Sequence, residues 1–502
     1  MPDCNLHSLF DARFVTARDR PALTHENAPR SLTYAGLRAG AARYANALAR
    51  LGVKPGDRVT VQVEKSVENV LLFLAVLKAG AVYQPLNTAY TPAEIEYFVG
   101  DAKPSLVVCD PAREEALHPI ARGNGATLAS LGSAGEGSLA DLAAAASPEH
   151  ATVPRAADDL AGLLYTSGTT GRSKGAMITH DNLASNILAL HAIWAFRPGD
   201  VLLHALPIFH VHGLFVALGT AFLNGSEMLW HDRFDVARLI ADLPRASVLM
   251  GVPTFYTRLL SRDDFTTEVC RNIRLFVAGS APLLAETHRA FEARTGHRVL
   301  ERYGMTETGM ITSNPYEGER RPGSVGYPLP RVEVRIADPE GRVMEPGGIG
   351  VIEVRGPNVF KGYWGMPDKT RQEFRDGGWF ITGDMGVMEP DGRVSIVGRA
   401  KDLIISGGFN VYPKEIEDAV DALPGVTESA VIGVPHPDFG EGVVAVVTGR
   451  PPAEAEMLAT LQERLAKFKL PKRIFLVDEL PRNAMGKVQK AELRKRFGDT
   501  FG

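Results

Sequence analysis

The sequence predicts an α/β protein: a large N-terminal body of βαβ-type layered sheets with a β-subdomain near residues 330–397, then a small α+β C-terminal domain. Three observations carry that prediction. Over the first 150 residues, segments with helical apolar spacing alternate with short strand-like runs, the order of parallel βαβ units. Residues 330–397 hold short β-rich runs (VEVRI, IGVIEVRG, GRVSIVG) joined by Pro-Gly-Gly and Asp-Gly turns. Beyond GRAKD (398–402) the pattern becomes a compact mixture of helices and apolar strands. The expected domains are therefore 1–398 and 399–502.

Taken in order, the first helix is expected within residues 32–53, where apolar residues recur at helical spacing and Gly52 closes the run. GDRVTVQVE alternates as a strand. SVENVLLFLAVLKAGAVYQPLN reads as a capped helix, a glycine stop and a second strand, and PSLVVCD as a third. Residues 123–150 are rich in Gly, Ala and Ser and are expected to be a surface insertion. DLAGLL and AMIT flank a glycine-rich loop. In the C-terminal part, KEIEDAVDAL and EAEMLATLQERLAKF read as helices, SAVIGV and GVVAVVTG as strands, and PRNAMGKVQKAELRKRF as a loop entering a basic helix.

Whole-chain properties narrow the function classes. A formal charge of −4 and a pI near 6.4 give no electrostatic footprint for nucleic acid or an anionic membrane, so neither is an expected partner. The N-terminus has no apolar signal-peptide core, and the most apolar stretch, residues 70–83, is too short to span a bilayer. Cys4, Cys109 and Cys270 are odd in number and lack metal-site spacing, as expected of reduced thiols in a cytoplasmic protein.

The strongest local signal is YTSGTTGRSKG, residues 165–175. Glycines let backbone N–H groups approach phosphate oxygens, hydroxyls donate, and Arg172 and Lys174 neutralise charge. It lacks the spacing of a Walker A loop. This run resembles the phosphate-binding signature of the AMP-forming acyl-CoA synthetases, the adenylate-forming superfamily. AGSAPL (278–283), RYGMTET (302–308), TGD (382–384), GRAKDLIISGGFNVYPKEIE (398–417) and PRNAMGK (481–487) match further signatures of that superfamily in its order.

The resemblance implies an enzyme that uses ATP and Mg²⁺ to adenylate a carboxylic acid and then passes the acyl group to coenzyme A. It assigns Thr166, Ser167, Gly168, Thr169, Thr170, Gly171 and Lys174 to the ATP phosphates. Tyr303 and the backbone of Gly279, Ser280 and Ala281 would face the adenine. Thr306 would donate to the α-phosphate and Glu307 would ligate Mg²⁺, a hard cation that prefers carboxylate oxygen. Asp384 would accept from the ribose hydroxyls, with Arg399 assisting. Lys487 is the expected catalytic lysine, its ammonium stabilising the charge that develops when a carboxylate attacks the α-phosphate. The resemblance also makes the C-terminal domain mobile about a hinge at Lys401, so that Gly407 and Gly408 meet the pantetheine thiol in the second half-reaction. It further suggests a lysine acetyltransferase and deacetylase acting on Lys487, since acetylation removes the needed charge.

The acid is read from fewer residues. Arg302, just before the motif tyrosine, would oppose a hydrocarbon tail but pair with a second carboxylate. His210 in LPIFHVHGLF occupies the superfamily's gating position, and Arg233 and Arg172 are further candidate contacts. Together ERYGMTE and FHVHG resemble malonyl-CoA synthetases, with methylmalonate as a second substrate. The alternatives are a ligase for another short or aryl acid (oxalate, acetate, propionate or a cinnamate), a module that loads a carrier protein, and a non-catalytic nucleotide-binding relative. The sequence ends soon after the basic helix, which disfavours the carrier-loading reading.

Overall fold

The computed structural model of the chain describes residues 3–26, 30–166, 173–407, 409–483 and 486–502. The first βαβ units form as their patterns predict. Thr33 caps the helix Tyr34–Arg50 by accepting from the Gly36 N–H, and the chain leaves it through Gly52 at φ +84°. Strand Arg58–Gln62 leads into helix Val67–Lys78, capped by Ser66 and buried at every position but Glu68. A helix apolar on all sides belongs inside a core. Strand Val82–Pro85 then pairs parallel with Arg58–Gln62, which also pairs parallel with Leu106–Cys109.

Residues 123–150 differ from expectation. They are not a surface insertion: strand Thr127–Ser130 extends the parallel sheet beside Leu106–Cys109, and helix Ser138–Ala144 packs on Tyr34–Arg50. Leu131 and Leu139 are fully buried. The small residues that looked like a loop composition are what allow this helix its close approach, with Ala140 and Ala143 in the core.

Among the described residues the N-terminal body holds two large sheets. One has seven strands, ordered Gly362–Tyr363, Lys174–Thr179, Leu160–Thr166, Val82–Pro85, Arg58–Gln62, Leu106–Cys109 and Thr127–Ser130. The other has nine, running from Tyr327–Pro328 through Gly309–Ser313, Leu300–Met305, Leu275–Ala278, Val248–Gly251, Val201–His204, Glu227–Trp230 and Pro21–His25 to Leu32–Thr33. A shared apolar core joins them; Phe73 of helix Val67–Lys78 meets Phe215 with ring centroids 6.0 Å apart. The β-subdomain is an antiparallel sheet of Glu333–Ala337, Ile349–Arg355, Phe374–Arg375, Trp379–Met388 and Val394–Arg399.

The C-terminal unit covers both faces of its own five-stranded sheet. Helices Pro413–Asp421 and Glu454–Gln462 bury Ile416, Val420, Met457 and Leu461 on one face, and helix Lys490–Phe497 buries Leu493 on the other. With separate cores on either side, we propose a boundary at 398/399, where strand Val394–Arg399 gives way to the tight turn Ala400–Asp402. No helix among the described residues is long and apolar enough to cross a membrane. Cys4, Cys109 and Cys270 are unbridged, and burial pushes the Cys109 and Cys270 thiols up to about 12, so both are poor nucleophiles.

Candidate active site

The ERYGMTE segment is half strand and half turn. Leu300–Met305 pairs parallel with Leu275–Ala278 and antiparallel with Gly309–Ser313, and Thr306 and Glu307 occupy the reversal between strands. Side chains alternate along a strand, so Glu301 and Arg302 part company. The Glu301 carboxylate lies 3.1 Å from His288 Nδ1. Arg302 turns the other way, across Gly279: a Cβ built there would sit 2.4 Å from the guanidinium carbon. Glycine at 279 is therefore what admits the arginine.

Arg302 is 4% exposed, and its Nε and Nη2 have no hydrogen-bond partner among the described residues. Burial pushes it down to about 9. A guanidinium gives up its proton reluctantly, so this one is set to accept an anion. His210 acts on the same space. Burial first, then the charges of Lys487 and Arg302, push its imidazole down to about 3, and its Nδ1 is buried without a partner among the described residues. It is neutral at physiological pH. Ser280, at φ +73°, places its hydroxyl 3.3 Å from His212 Nδ1. That left-handed conformation is strained for a serine.

A second group of contacts surrounds the nucleotide motifs. Tyr303 donates to Asp384 Oδ2 at 2.5 Å, and Arg399 Nε lies 2.7 Å from Asp384 Oδ1. Asp384 and Arg399 are opposite one another in the ladder of Trp379–Met388 and Val394–Arg399. Burial raises the Asp384 carboxyl and the Arg399 charge opposes that rise. Glu307 is also buried and raised; its Oε1 accepts from Tyr363 at 3.0 Å and Thr166 at 3.4 Å. Lys174 lies 3.6 Å from Glu373 and 4.2 Å above the Tyr363 ring.

Lys487 is delivered by a short loop. Its N–H donates to Asn483 Oδ1 and its carbonyl accepts from the Asn483 N–H, both at 3.0 Å. Gly486, at φ +73°, rests against Thr254 of the N-terminal body: a Cβ built on it would lie 3.5 Å from Thr254 Cγ2. Burial and repulsion from Arg399 lower the Lys487 ammonium, while Asp384 and Glu307 hold it up and Arg302 lowers it further. One lysine thus feels both the nucleotide-motif carboxylates and the arginine beside Gly279.

The other expected residues are placed as follows. Gly407, at φ +59°, donates its N–H to the Phe439 carbonyl. Lys401 is exposed in the turn after Arg399. Arg233 is exposed ahead of helix Val236–Asp242, its charge acting on Asp235 rather than on His210 or Arg302. Ser167, Gly168, Thr169, Thr170, Gly171, Arg172 and Gly408 lie outside the described residues. Sequence reasoning missed Tyr363 and Glu373. Neither stands in a pattern with chemistry of its own; the pairing of Gly362–Tyr363 with Lys174–Thr179 brings in Tyr363, and an ion pair to Lys174 brings in Glu373.

The family described as AMP-binding enzyme matches residues 10–364, and its C-terminal domain matches residues 415–487. The chain belongs to the AMP-binding enzyme family. Within this AMP-binding family, the malonate–CoA ligase ACSF3 of Mus musculus is 38% identical over 89% of the chain and 83% of its own length. A feruloyl-CoA synthase of an Amycolatopsis species is 36% identical over 93% and 94%. The crystal structure of ATP-bound MatB from Rhodopseudomonas palustris is 56% identical over the whole of both chains, with a TM-score of 0.97; apo MatB gives 0.86. The chain is thus more similar overall to the ATP-bound structure than to the apo one. The resemblance read from the motifs is borne out, and this AMP-binding enzyme is an AMP-forming acid–thiol ligase.

Proposed function

We propose that the chain condenses malonate with coenzyme A at the expense of ATP, releasing AMP and diphosphate, and that it also accepts methylmalonate. The observation that carries this reading is Arg302, a buried guanidinium beside Gly279 with two nitrogens unsatisfied among the described residues. An unpaired buried charge costs several kcal/mol, and a second carboxylate on the substrate offsets that cost with two parallel hydrogen bonds. The adjacent His210, held neutral, adds no second charge and can hydrogen-bond the acid. Methylmalonate differs by one methyl group, worth about 1–3 kcal/mol of discrimination in such a pocket.

Two displacements complete the reaction. A carboxylate oxygen of the acid bonds to the α-phosphorus of ATP and the bond to diphosphate breaks. The coenzyme A thiol sulfur then bonds to the acyl carbon, its proton is lost, and AMP departs. Lys487 would hold positive charge against the phosphate oxygens in the first step, with Thr306 donating to the α-phosphate. Asp384, fixed by Tyr303 and Arg399, would accept from the ribose, and Gly279 to Ala281 would face the adenine. Lys174 would leave Glu373 for the terminal phosphates. Mg²⁺ fits the donor set: Glu307 and Thr166 offer hard oxygens 3.4 Å apart, with Tyr363 orienting the carboxylate. When bound, the ion would offset phosphate charge. The same reading makes Lys401 the hinge and Gly407 part of the thiol channel. This reading needs no contact from Arg233, which is exposed.

The test is coenzyme-A-dependent AMP formation with malonate, methylmalonate, succinate, acetate and ferulate side by side. Turnover confined to malonate and methylmalonate is expected. A preference for acetate or ferulate would keep the adenylation chemistry and remove Arg302 as its selector. We also propose acetylation of Lys487 as a means of switching off adenylation in the cytoplasm. Peptide mapping that found no modified Lys487 under any growth condition would end that proposal.

A further inference from the structure

Lys65 follows strand Arg58–Gln62 in QVEKSVEN, where its neighbours suggest a solvated surface charge. Instead it is buried, and its ammonium donates to the His231 carbonyl at 2.5 Å, the His204 carbonyl at 2.9 Å and His204 Nδ1 at 3.0 Å. It lies 4.2 Å above the Trp230 ring, on which His204 also stacks at 4.8 Å. Burial pushes its ammonium well below the ordinary lysine range, and Asp232 opposes that only through space. A buried cation held by carbonyls and an imidazole is expensive if it only fills space.

Its partners give it a purpose. With Nδ1 accepting from Lys65, the His204 ring carries its proton on Nε2, which donates to the Gly213 carbonyl at 3.0 Å. Gly213 lies in the first turn of the π-helix His212–Ala217, a wide turn often found at functional sites. A Cβ on Gly213 would sit 2.1 Å from the Pro207 carbonyl, so the backbone there is as close as glycine permits. The segment 205–212 between these anchors carries His210 and His212. Its start is tied to Lys65 through the His204 carbonyl, and its end through the His204 ring.

We infer that Lys65 and His204 are positioning residues for the acid pocket: they clamp segment 205–212 at both ends and so fix His210 beside Arg302. The inference rests on the proposal that this pocket receives the acid. The clamp links strand Arg58–Gln62 of the seven-stranded sheet to strands Val201–His204 and Glu227–Trp230 of the nine-stranded one. Acid selectivity thereby depends on a contact between sheets that touches no substrate.

Lys65→Met fills similar space without the ammonium, and His204→Phe keeps the stacking on Trp230 without either nitrogen. His204→Gln retains an acceptor and a donor. Backbone hydrogen exchange of the full-length enzyme without substrate is the first readout. Loss of protection confined to residues 205–217 is expected in Lys65→Met and His204→Phe, with recovery in His204→Gln. The second is a split in KM: the value for malonate should rise about tenfold or more while that for ATP stays within about twofold. Unchanged exchange, or equal rises for malonate and ATP, overturns the inference. Should Lys65→Met fail to fold, His204→Phe and His204→Gln decide alone. If exchange loosens but the KM effect falls on a different acid, the clamp stands and malonate does not.

Discussion

At the scale of single residues, the acid side of the site rests on Arg302, a buried charge whose Nε and Nη2 have no partner among the described residues. Arg302→Ala removes the group that would pair with the second carboxylate. Loss of one partner from a buried charged pair costs about 3 kcal/mol or more, about a hundredfold or more in kcat/KM for malonate. ATP affinity, measured by titration calorimetry, should not change; malonate kinetics equal to wild type would remove Arg302 from the site. Lys487 gives a pH prediction. In the proposed role its ammonium is the active form, and burial with the Arg399 and Arg302 charges lowers its pKa below the ordinary lysine value. Adenylation should therefore decline as pH rises through that lowered value, earlier than an unperturbed lysine near 10.4 would allow. A malonate-dependent ATP–pyrophosphate exchange rate that stayed flat up to pH 10 would contradict it. Arg302 and Lys487 could be picked out as candidates from the sequence because each stands inside a motif, and the fold brings them within electrostatic reach of one another. Lys65 and Tyr363 were not, because their roles arise from partners more than a hundred residues away, His204 and Lys174.

At the scale of elements, the proposed nucleotide side is built by the hairpin around Thr306 and Glu307 and by the short pairing of Gly362–Tyr363 with Lys174–Thr179. Tyr363 connects them: its hydroxyl donates to Glu307 and its ring faces the Lys174 ammonium. Tyr363→Phe keeps the ring and deletes the donor, leaving a buried carboxylate short of one hydrogen bond at about 1–3 kcal/mol. KM for ATP should rise about tenfold, 1.4 kcal/mol being a factor of ten. KM for malonate should stay near wild type; if it moved instead, Tyr363 would belong to the acid pocket. The parallel strands and their capped helices were legible because each apolar run ends on Gly or a Ser/Thr cap. Residues 123–150 were not, because alanine and glycine serve close helix packing as readily as they serve a loop. The π-helix His212–Ala217 has no periodicity to read: its glycine and apolar residues suit an ordinary buried helix equally well.

At the scale of the whole molecule, Lys487 reaches the site only because the C-terminal unit is docked, and one of the contacts that dock it is Gly486 against Thr254. If the second half-reaction requires this unit to rotate about Lys401, freezing the contact should separate the two halves of the reaction. Thr254→Cys with Gly486→Cys is suited to that purpose. A Cβ on residue 486 would lie 3.6 Å from Thr254 Oγ1, near where a cysteine sulfur would be; with an S–S bond of about 2.05 Å, a small inward shift of the loop closes the bridge. Cysteine at φ +73° is strained by roughly 1–2 kcal/mol, so the reduced double variant is the reference. Cys109 and Cys270 are buried with raised thiols, and Cys4 is half-buried, which favours bridging of the introduced pair. Oxidised enzyme should retain malonate-dependent ATP–pyrophosphate exchange and lose malonyl-CoA formation, and a reductant should restore it. Equal loss of both activities on oxidation would mean that adenylation itself needs the Lys487 loop to move. Full thioester formation by a verified crosslinked enzyme would show that both steps share the docked arrangement, leaving Lys401 no role as a hinge.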